Sequence, residues 1–212
     1  MATVTRAVFL DFDGTLVDSE TFHHQSWLAA VAHYNASVDW ADYVRRFVGK
    51  TDSWAGRTLL AEAGHEPTAD VLAEVVAAKH AHFRKHAVTT LAVEDEIRRY
   101  LLDEISDTLL AIVSSSPTSD VQPVLERSGL LQRFEFLVLG NMVSNHKPHP
   151  EPYLTAVRQM TERAPGLTPG ECLVFEDSES GIASGTAAGL EVVAVPEPFA
   201  LLGLLRSRLQ QR

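Results

Sequence analysis

The stretch Ala7-Val8-Phe9-Leu10-Asp11-Phe12-Asp13-Gly14-Thr15 joins four consecutive apolar residues to two carboxylates set two positions apart and then a glycine. An apolar run this short, closed by acids and Gly, predicts a buried strand that ends in a tight turn. Strand ends of this kind are where α/β proteins usually place their chemistry, because the loop is exposed while the strand behind it is rigid. Asp11 can be held still there and still meet a ligand.

Downstream of this strand the pattern turns helical for about ninety residues. Ser19 is placed to cap a helix carrying Phe22, Trp27, Leu28 and Val31, and Thr68 to cap a longer one with apolar positions at Leu72, Val75, Val76 and Phe83. Two shorter helices are predicted at 39–47 and 51–63, joined around Gly49. From Leu109 the texture becomes strand, helix, strand, helix. The runs Leu109–Val113, Phe136–Leu139, Cys172–Phe175 and Glu191–Val195 alternate with helical patterns, which predicts right-handed crossovers and a parallel sheet. Ala7–Leu10 has no partner except that sheet. The expected fold class is therefore α/β, a doubly wound Rossmann-like core from residues 1–17 and 88–212 with an all-helical cap inserted at 18–87.

Composition narrows the function. The chain has 212 residues, 45% of them hydrophobic and 22% charged, enough for a full core and a second small domain. A formal charge of −10 with no basic run argues against nucleic acid as a partner, while a few local cations and a metal would still admit a small phosphorylated molecule. The single cysteine, Cys172, lies in an apolar run and fits a reducing, cytoplasmic compartment. No stretch approaches membrane-spanning length, and residues 1–10 lack a signal-peptide h-region. The greasy segment 198–209 carries interleaved arginines and reads as an amphipathic closing helix. Oligomeric state is left open by the sequence, and a monomer is compatible with it.

In a parallel sheet four polar strand ends converge on one crevice: Asp11 and Asp13, Ser114 after Ile112-Val113, Lys147 in His146-Lys147-Pro148-His149-Pro150, and Glu176-Asp177 after Val174-Phe175. Four acids cannot all ionise in a small space without compensation, and hard oxygen donors select Mg²⁺, which in turn favours phosphate. Asp11 is then a nucleophile toward phosphorus, forming an aspartyl-phosphate. Asp13 is the acid and base for the leaving oxygen and the attacking water. Lys147 and the Ser114 hydroxyl hold the equatorial oxygens, and N–H groups of the Ser114-Ser115-Ser116 loop add donors. The expected metal ligands are Asp11, Asp177, Asp13 through its main-chain carbonyl, and Glu176 as a further ligand or supporting partner.

These residues carry a resemblance. Asp11-Phe-Asp-Gly-Thr-Leu-Val-Asp18, the strand ending in Ser114, Lys147-Pro148 and Glu176-Asp177-Ser178-Glu179-Ser180-Gly181-Ile182 resemble the four motifs of the haloacid dehalogenase superfamily, in order. The likeness is greatest to the branch containing β-phosphoglucomutase and the small sugar-phosphate phosphatases, whose helical cap lies between the first two motifs. It implies a nucleophilic Asp11, an acid/base Asp13 and a metal-binding Asp177.

Departures from the family discriminate within it. Dehalogenases of the superfamily lack an acid at the place of Asp13, and the phosphonate hydrolases need an early cap lysine, whereas no Lys lies between Asp18 and Gly49. The mutase has a phosphate-gripping arginine shortly after its cap glycine. Here that place reads Gly49-Lys50-Thr51-Asp52, and Asp52 would repel a second phosphate. Hydrolysis of sugar or polyol phosphates is accordingly expected, with the phosphosugar mutase as the alternative and a phospho-accepting signalling module as a more distant one. Substrate contacts are expected from His23, Lys50, Lys79 and Ser115. His82 and His86 read as a solvated helix face, and Tyr153, Trp27, Trp40 and Trp54 as packing.

Overall fold

A computed structural model describes residues 5–209. Five parallel strands, β1 (Ala7–Leu10), β2 (Leu109–Val113), β3 (Phe136–Val138), β4 (Cys172–Glu176) and β5 (Glu191–Ala194), form one sheet in the order β3-β2-β1-β4-β5. The chain moves outward from β1 through β2 to β3, then returns to the other side of β1 for β4 and β5. The order thus reverses beside β1, where open α/β sheets form their ligand crevice. Register is fixed by pairs such as Leu10 with Ile112 and Leu10 with Phe175, so Asp11, Ser114 and Glu176 leave the sheet at one edge.

The described chain divides into two compact units, one made of the segments up to Asp18 and from Ala92 onward, the other of Ser19–Leu91. The second holds α1 (Glu20–Val31), α2 (Trp40–Arg46), α3 (Asp52–Glu62) and α4 (Ala69–His86). Their core joins Trp27, Val31, Phe47, Leu59, Leu60 and Val75. Three starts are capped as their sequences require, since Asp39, Thr51 and Thr68 each accept a backbone N–H three residues on. Ser19 occupies the corresponding position of α1 but is in a helical conformation and makes no side-chain cap bond. The helical unit runs past 87 because the amides of Thr90 and Leu91 turn back on the Ala87 carbonyl. Trp27 is buried, whereas Trp40 and Trp54 are 44% and 41% exposed and pack at the surface of the helical unit, Trp40 stacking on Tyr43 at 5.8 Å. Phe47 meets the edge of the Trp54 ring at 5.5 Å.

In the first unit the central strands are covered on both faces, which is why β1 and β2 are apolar throughout rather than alternating, while the edge strand β5 is partly exposed. One face packs Ala7, Phe9, Ala111, Val113, Cys172 and Val174 against Tyr153, Ala156 and Met160 of α7 (Glu151–Arg163). The alternate residues Val8, Leu10, Leu110, Ile112, Leu173 and Phe175 are equally buried. Helices α5 (Asp95–Arg99), α6 (Thr118–Arg127), α8 (Glu179–Ala187) and α9 (Leu201–Leu209) complete the unit. The sequence pattern did not anticipate α5, a single turn that passes into a wider π-helical turn at Tyr100–Glu104. No helix among the described residues is long and apolar enough to cross a membrane.

Candidate active site

The carboxyl edge of the sheet is stitched together beyond its last strand residues. The Asp11 amide donates to the Phe175 carbonyl at 3.0 Å, the Ser114 amide to Val138 at 3.0 Å, and the Gly140 amide to the Ser116 carbonyl at 3.0 Å. These bonds extend the parallel ladders into the loops, so the side chains there inherit the rigidity of the strands. Asp11 is 6% exposed, Ser114 4% and Lys147 5%, while Glu176 is sealed off completely.

Lys147 ties the edge together. Its ammonium donates to Asp11 Oδ1 at 2.7 Å, to the Val113 carbonyl at 2.8 Å and to Glu176 Oε1, which matches its three protons to three acceptors. Burial opposes the charge of Lys147, but Asp11 and Glu176 outweigh it and hold the ammonium well above the ordinary lysine value. Burial, reinforced by repulsion from Glu176, holds the Asp11 carboxyl well above the usual carboxylate range against the pull of Lys147. Two buried carboxylates on one ammonium leave an excess of negative charge.

Glu176 is fully committed. Oε1 accepts from Lys147 and from the Tyr153 hydroxyl at 3.2 Å, and Oε2 accepts from the Ser178 amide and hydroxyl, both at 3.1 Å. It therefore supports the site from beneath. Tyr153 is fully buried as the packing reading requires, yet its hydroxyl reaches the acids, and burial with the nearby Glu176 raises its pKa well above the ordinary phenol. Gly181, in the first turn of α8, lies directly against this carboxylate, and a Cβ there would overlap the Glu176 side chain.

Asp177 is set by the opposite loop. Its Oδ1 accepts from the buried Thr15 hydroxyl at 3.0 Å, and its carboxylate packs on Gly14 so closely that a Cβ would collide with it. Gly14 also has φ +73°, a conformation that other residues adopt only with strain. Ligand oxygens of Asp11, Glu176 and Asp177 lie within 4.8 Å of one another. An all-oxygen donor set carrying this surplus of negative charge fits a hard divalent cation. Asp13 stands outside that group, and its carboxylate accepts from the Ser116 hydroxyl at 2.5 Å.

Ser114 Oγ accepts from the Ser116 amide at 3.0 Å, so that amide is occupied while the Ser114 hydroxyl proton can still be donated. Ser115 is exposed, and its carbonyl rests against Gly140, where a Cβ would collide with it. The histidines flanking Lys147 build the loop: His149 Nδ1 accepts from the Glu151 amide at 3.1 Å, and its carbonyl accepts from Ser184 at 2.7 Å.

Within the helical unit His23 and Lys79 share one aromatic patch. His23 stacks on Phe83 at 4.2 Å, and the Lys79 ammonium lies 5.8 Å from the same ring and 5.7 Å from Trp27. Lys79 is buried and paired with Asp52 at 3.0 Å, and Asp52 also meets His80 at 2.8 Å. Neither Lys79 nor Asp52 is the independent charge that the sequence suggested. Lys50 is exposed, 6.0 Å from the ring of Trp54.

Sequence reasoning missed Thr15, Tyr153 and Ser178 as supports of the acids. Thr15 and Ser178 sit inside the motifs themselves, but only the fold shows which carboxylate each one reaches.

A doubly wound sheet that gathers acids around a buried lysine at its switch point defines an enzyme of the α/β class with an oxygen-rich centre. The chain belongs to the haloacid dehalogenase-like hydrolase family, whose model matches residues 8–195. Similar proteins include the fructose-1-phosphate phosphatase YqaB of Escherichia coli, 25% identical over 201 residues covering 89% of this chain and 95% of the relative. Another is the phosphorylated carbohydrates phosphatase of Thermotoga maritima, 29% identical over 187 residues covering 87% and 82%. The crystal structure of a β-phosphoglucomutase from Clostridium difficile shares the fold with TM-score 0.80, at 17% identity and over 98% of both chains.

Proposed function

We propose that this hydrolase is a phosphatase of small phosphorylated metabolites, sugar or polyol phosphates, working through an aspartyl-phosphate on Asp11. The observation that carries this reading is the pairing at the end of β1. Asp11 is buried and held by Lys147, while Asp13, two residues on, is held separately by Ser116. One carboxylate is fixed for attack and the other for proton transfer. The names of the relatives, phosphatases of fructose 1-phosphate and of phosphorylated carbohydrates, support the substrate class.

Mg²⁺ would be held by the Asp11 and Asp177 carboxylates and the Asp13 carbonyl, and when bound it offsets the repulsion between Asp11 and a phosphate dianion. An Asp11 oxygen attacks phosphorus as the bond to the leaving oxygen breaks, and Asp13 gives that oxygen its proton. Ser114 donates to an equatorial oxygen, and Lys147 shares one of its protons with the phosphoryl group. Asp13, now ionised, takes a proton from water as the water attacks the aspartyl-phosphate. The bond from phosphorus to Asp11 then breaks, inorganic phosphate leaves and the carboxylate is restored.

The pairing of Lys79 with Asp52 offsets both the attraction and the repulsion these residues would exert on a second phosphate, so the preference for hydrolysis over mutase chemistry is supported by the names of the relatives. The helical unit is proposed as the cap that reads the leaving group.

A panel of phosphorylated sugars, polyols and acids assayed for phosphate release, with product identification, tests the reading. Asp11→Asn should abolish release, with loss on the order of 10³-fold or more and unchanged circular dichroism. Stripping Mg²⁺ should do the same reversibly. Turnover retained in Asp11→Asn, or a sugar phosphate isomerised without free phosphate, would overturn it.

A further inference from the structure

We propose that Ser116 is a positioning residue for Asp13, an inference that rests on the acid and base role read for Asp13 above. The Ser116 hydroxyl donates to Asp13 Oδ2 at 2.5 Å across a sequence separation of 103 residues. What distinguishes this contact from an incidental surface bond is how Ser116 itself is held. Its amide donates to Ser114 Oγ at 3.0 Å, and its carbonyl accepts from the Gly140 amide at 3.0 Å.

Ser114 is in turn fixed by its own amide on the Val138 carbonyl, and the loop lies so close to Gly140 that a Cβ there would collide with the Ser115 carbonyl. Both polar groups of the Ser116 backbone are thereby tied to the β2–β3 side of the sheet. The hydroxyl is the only polar group the residue has left, and it goes to Asp13. Asp13 itself lies in the turn after β1, whose bridge to Val17 fixes the backbone but not the side-chain torsion. Ser116 thus carries the rigidity of a neighbouring strand end to the side chain that must meet the leaving oxygen.

The bond from Ser116 to Oδ2 fixes the carboxyl torsion of Asp13, so its proton is presented in one orientation. Loss of the hydroxyl would let the carboxyl rotate, and a misplacement of the order of an ångström at a proton donor costs about 100-fold in rate. The loss should show where a proton is needed. An alkyl phosphate needs protonation of its leaving oxygen. A p-nitrophenyl phosphate does not, because its phenolate leaves unaided.

The test compares kcat/KM of wild type, Ser116→Ala and Ser116→Thr on an alkyl monophosphate such as glycerol phosphate and on p-nitrophenyl phosphate. This ratio reports steps up to the first departure and leaves out hydrolysis of the phosphoenzyme. Ser116→Ala should lose on the order of 10- to 100-fold on the alkyl ester and at least about 10-fold less on the aryl ester, with Ser116→Thr restoring most of the difference. Thermal unfolding of all three variants shows whether any loss is merely structural. Equal losses on both esters, no loss on either, or failure of Ser116→Thr to restore a selective loss would overturn the role of Ser116 while leaving the phosphatase reading intact. A wild-type protein inactive on both esters and on the wider panel would overturn the phosphatase reading itself, and the role of Ser116 with it.

Discussion

At the scale of single residues, the site depends on places where a side chain is absent as much as on those where one is present. Gly181 lies in the first turn of α8 against the Glu176 carboxylate, and Gly14 brings the β1 loop against Asp177. Gly181→Ala would push a methyl group into a carboxylate that already bonds Lys147, Tyr153 and Ser178. Overpacking of this kind costs about 1–3 kcal/mol, and the displaced Glu176 would release Lys147 from one of its three acceptors. The expected result is a lowered melting temperature together with a fall in kcat of at least about 10-fold, measured by calorimetry and by phosphate release. An unchanged kcat would show that Glu176 does not position Lys147. Asp11 and Glu176 each follow an apolar run directly, which is why the sequence pattern puts them at strand ends, whereas Lys147 lies well beyond the run 136–139 and was read from its motif. Their supports were not legible, since Thr15, Ser116, Tyr153 and Ser178 act through contacts with residues distant in sequence or through a loop geometry that spacing alone does not fix.

At the scale of elements, helix starts and strands were legible where local chemistry decides them, as at Thr51 and Thr68, whose hydroxyls accept the amides of Trp54 and Val71. Local rules fail where tertiary packing decides, as at α5 and the wide turn after it, where a short segment is held by the burial of Ile97, Tyr100 and Leu101. The pairing of α3 with α4 was also hidden, because Asp52 and Lys79 are far apart in sequence. Burial alone would raise the pKa of Asp52, but Lys79 and then His80 outweigh it and hold the carboxyl far below its ordinary value. A depressed acid contributes stability that is present above its unfolded pKa of about 3.9 and is lost as pH falls through the folded value. Asp52→Asn should therefore cost about 2 kcal/mol at neutral pH, because buried Lys79 loses its charged partner and keeps the weaker attraction of the Trp27 and Phe83 faces. Below pH 4 the difference between wild type and variant should shrink progressively. Urea unfolding at a series of pH values measures it, and a difference that does not vary with pH would show that Asp52 is not the titrating partner.

At the scale of the whole molecule, the chain builds two cores from a discontinuous sequence. β1 pairs with β2 and with β4, so the sheet closes only when residues near position 10 meet partners near 112 and 175. The helical unit is a local affair of consecutive segments, with its own cluster around Trp27, Leu59 and Leu60. The expected division rests on hydrophobic periodicity, which changes from helical to strand-like near Leu109. Trp27→Ala removes a large buried side chain from the helical core alone, at a cost of about 3–5 kcal/mol. If each core sustains its own opening equilibrium, amide exchange followed by mass spectrometry should lose protection in α1, α3 and α4 while β1, β2 and β4 keep theirs. Equal loss across the sheet would instead mean that the two cores open as a single cooperative unit.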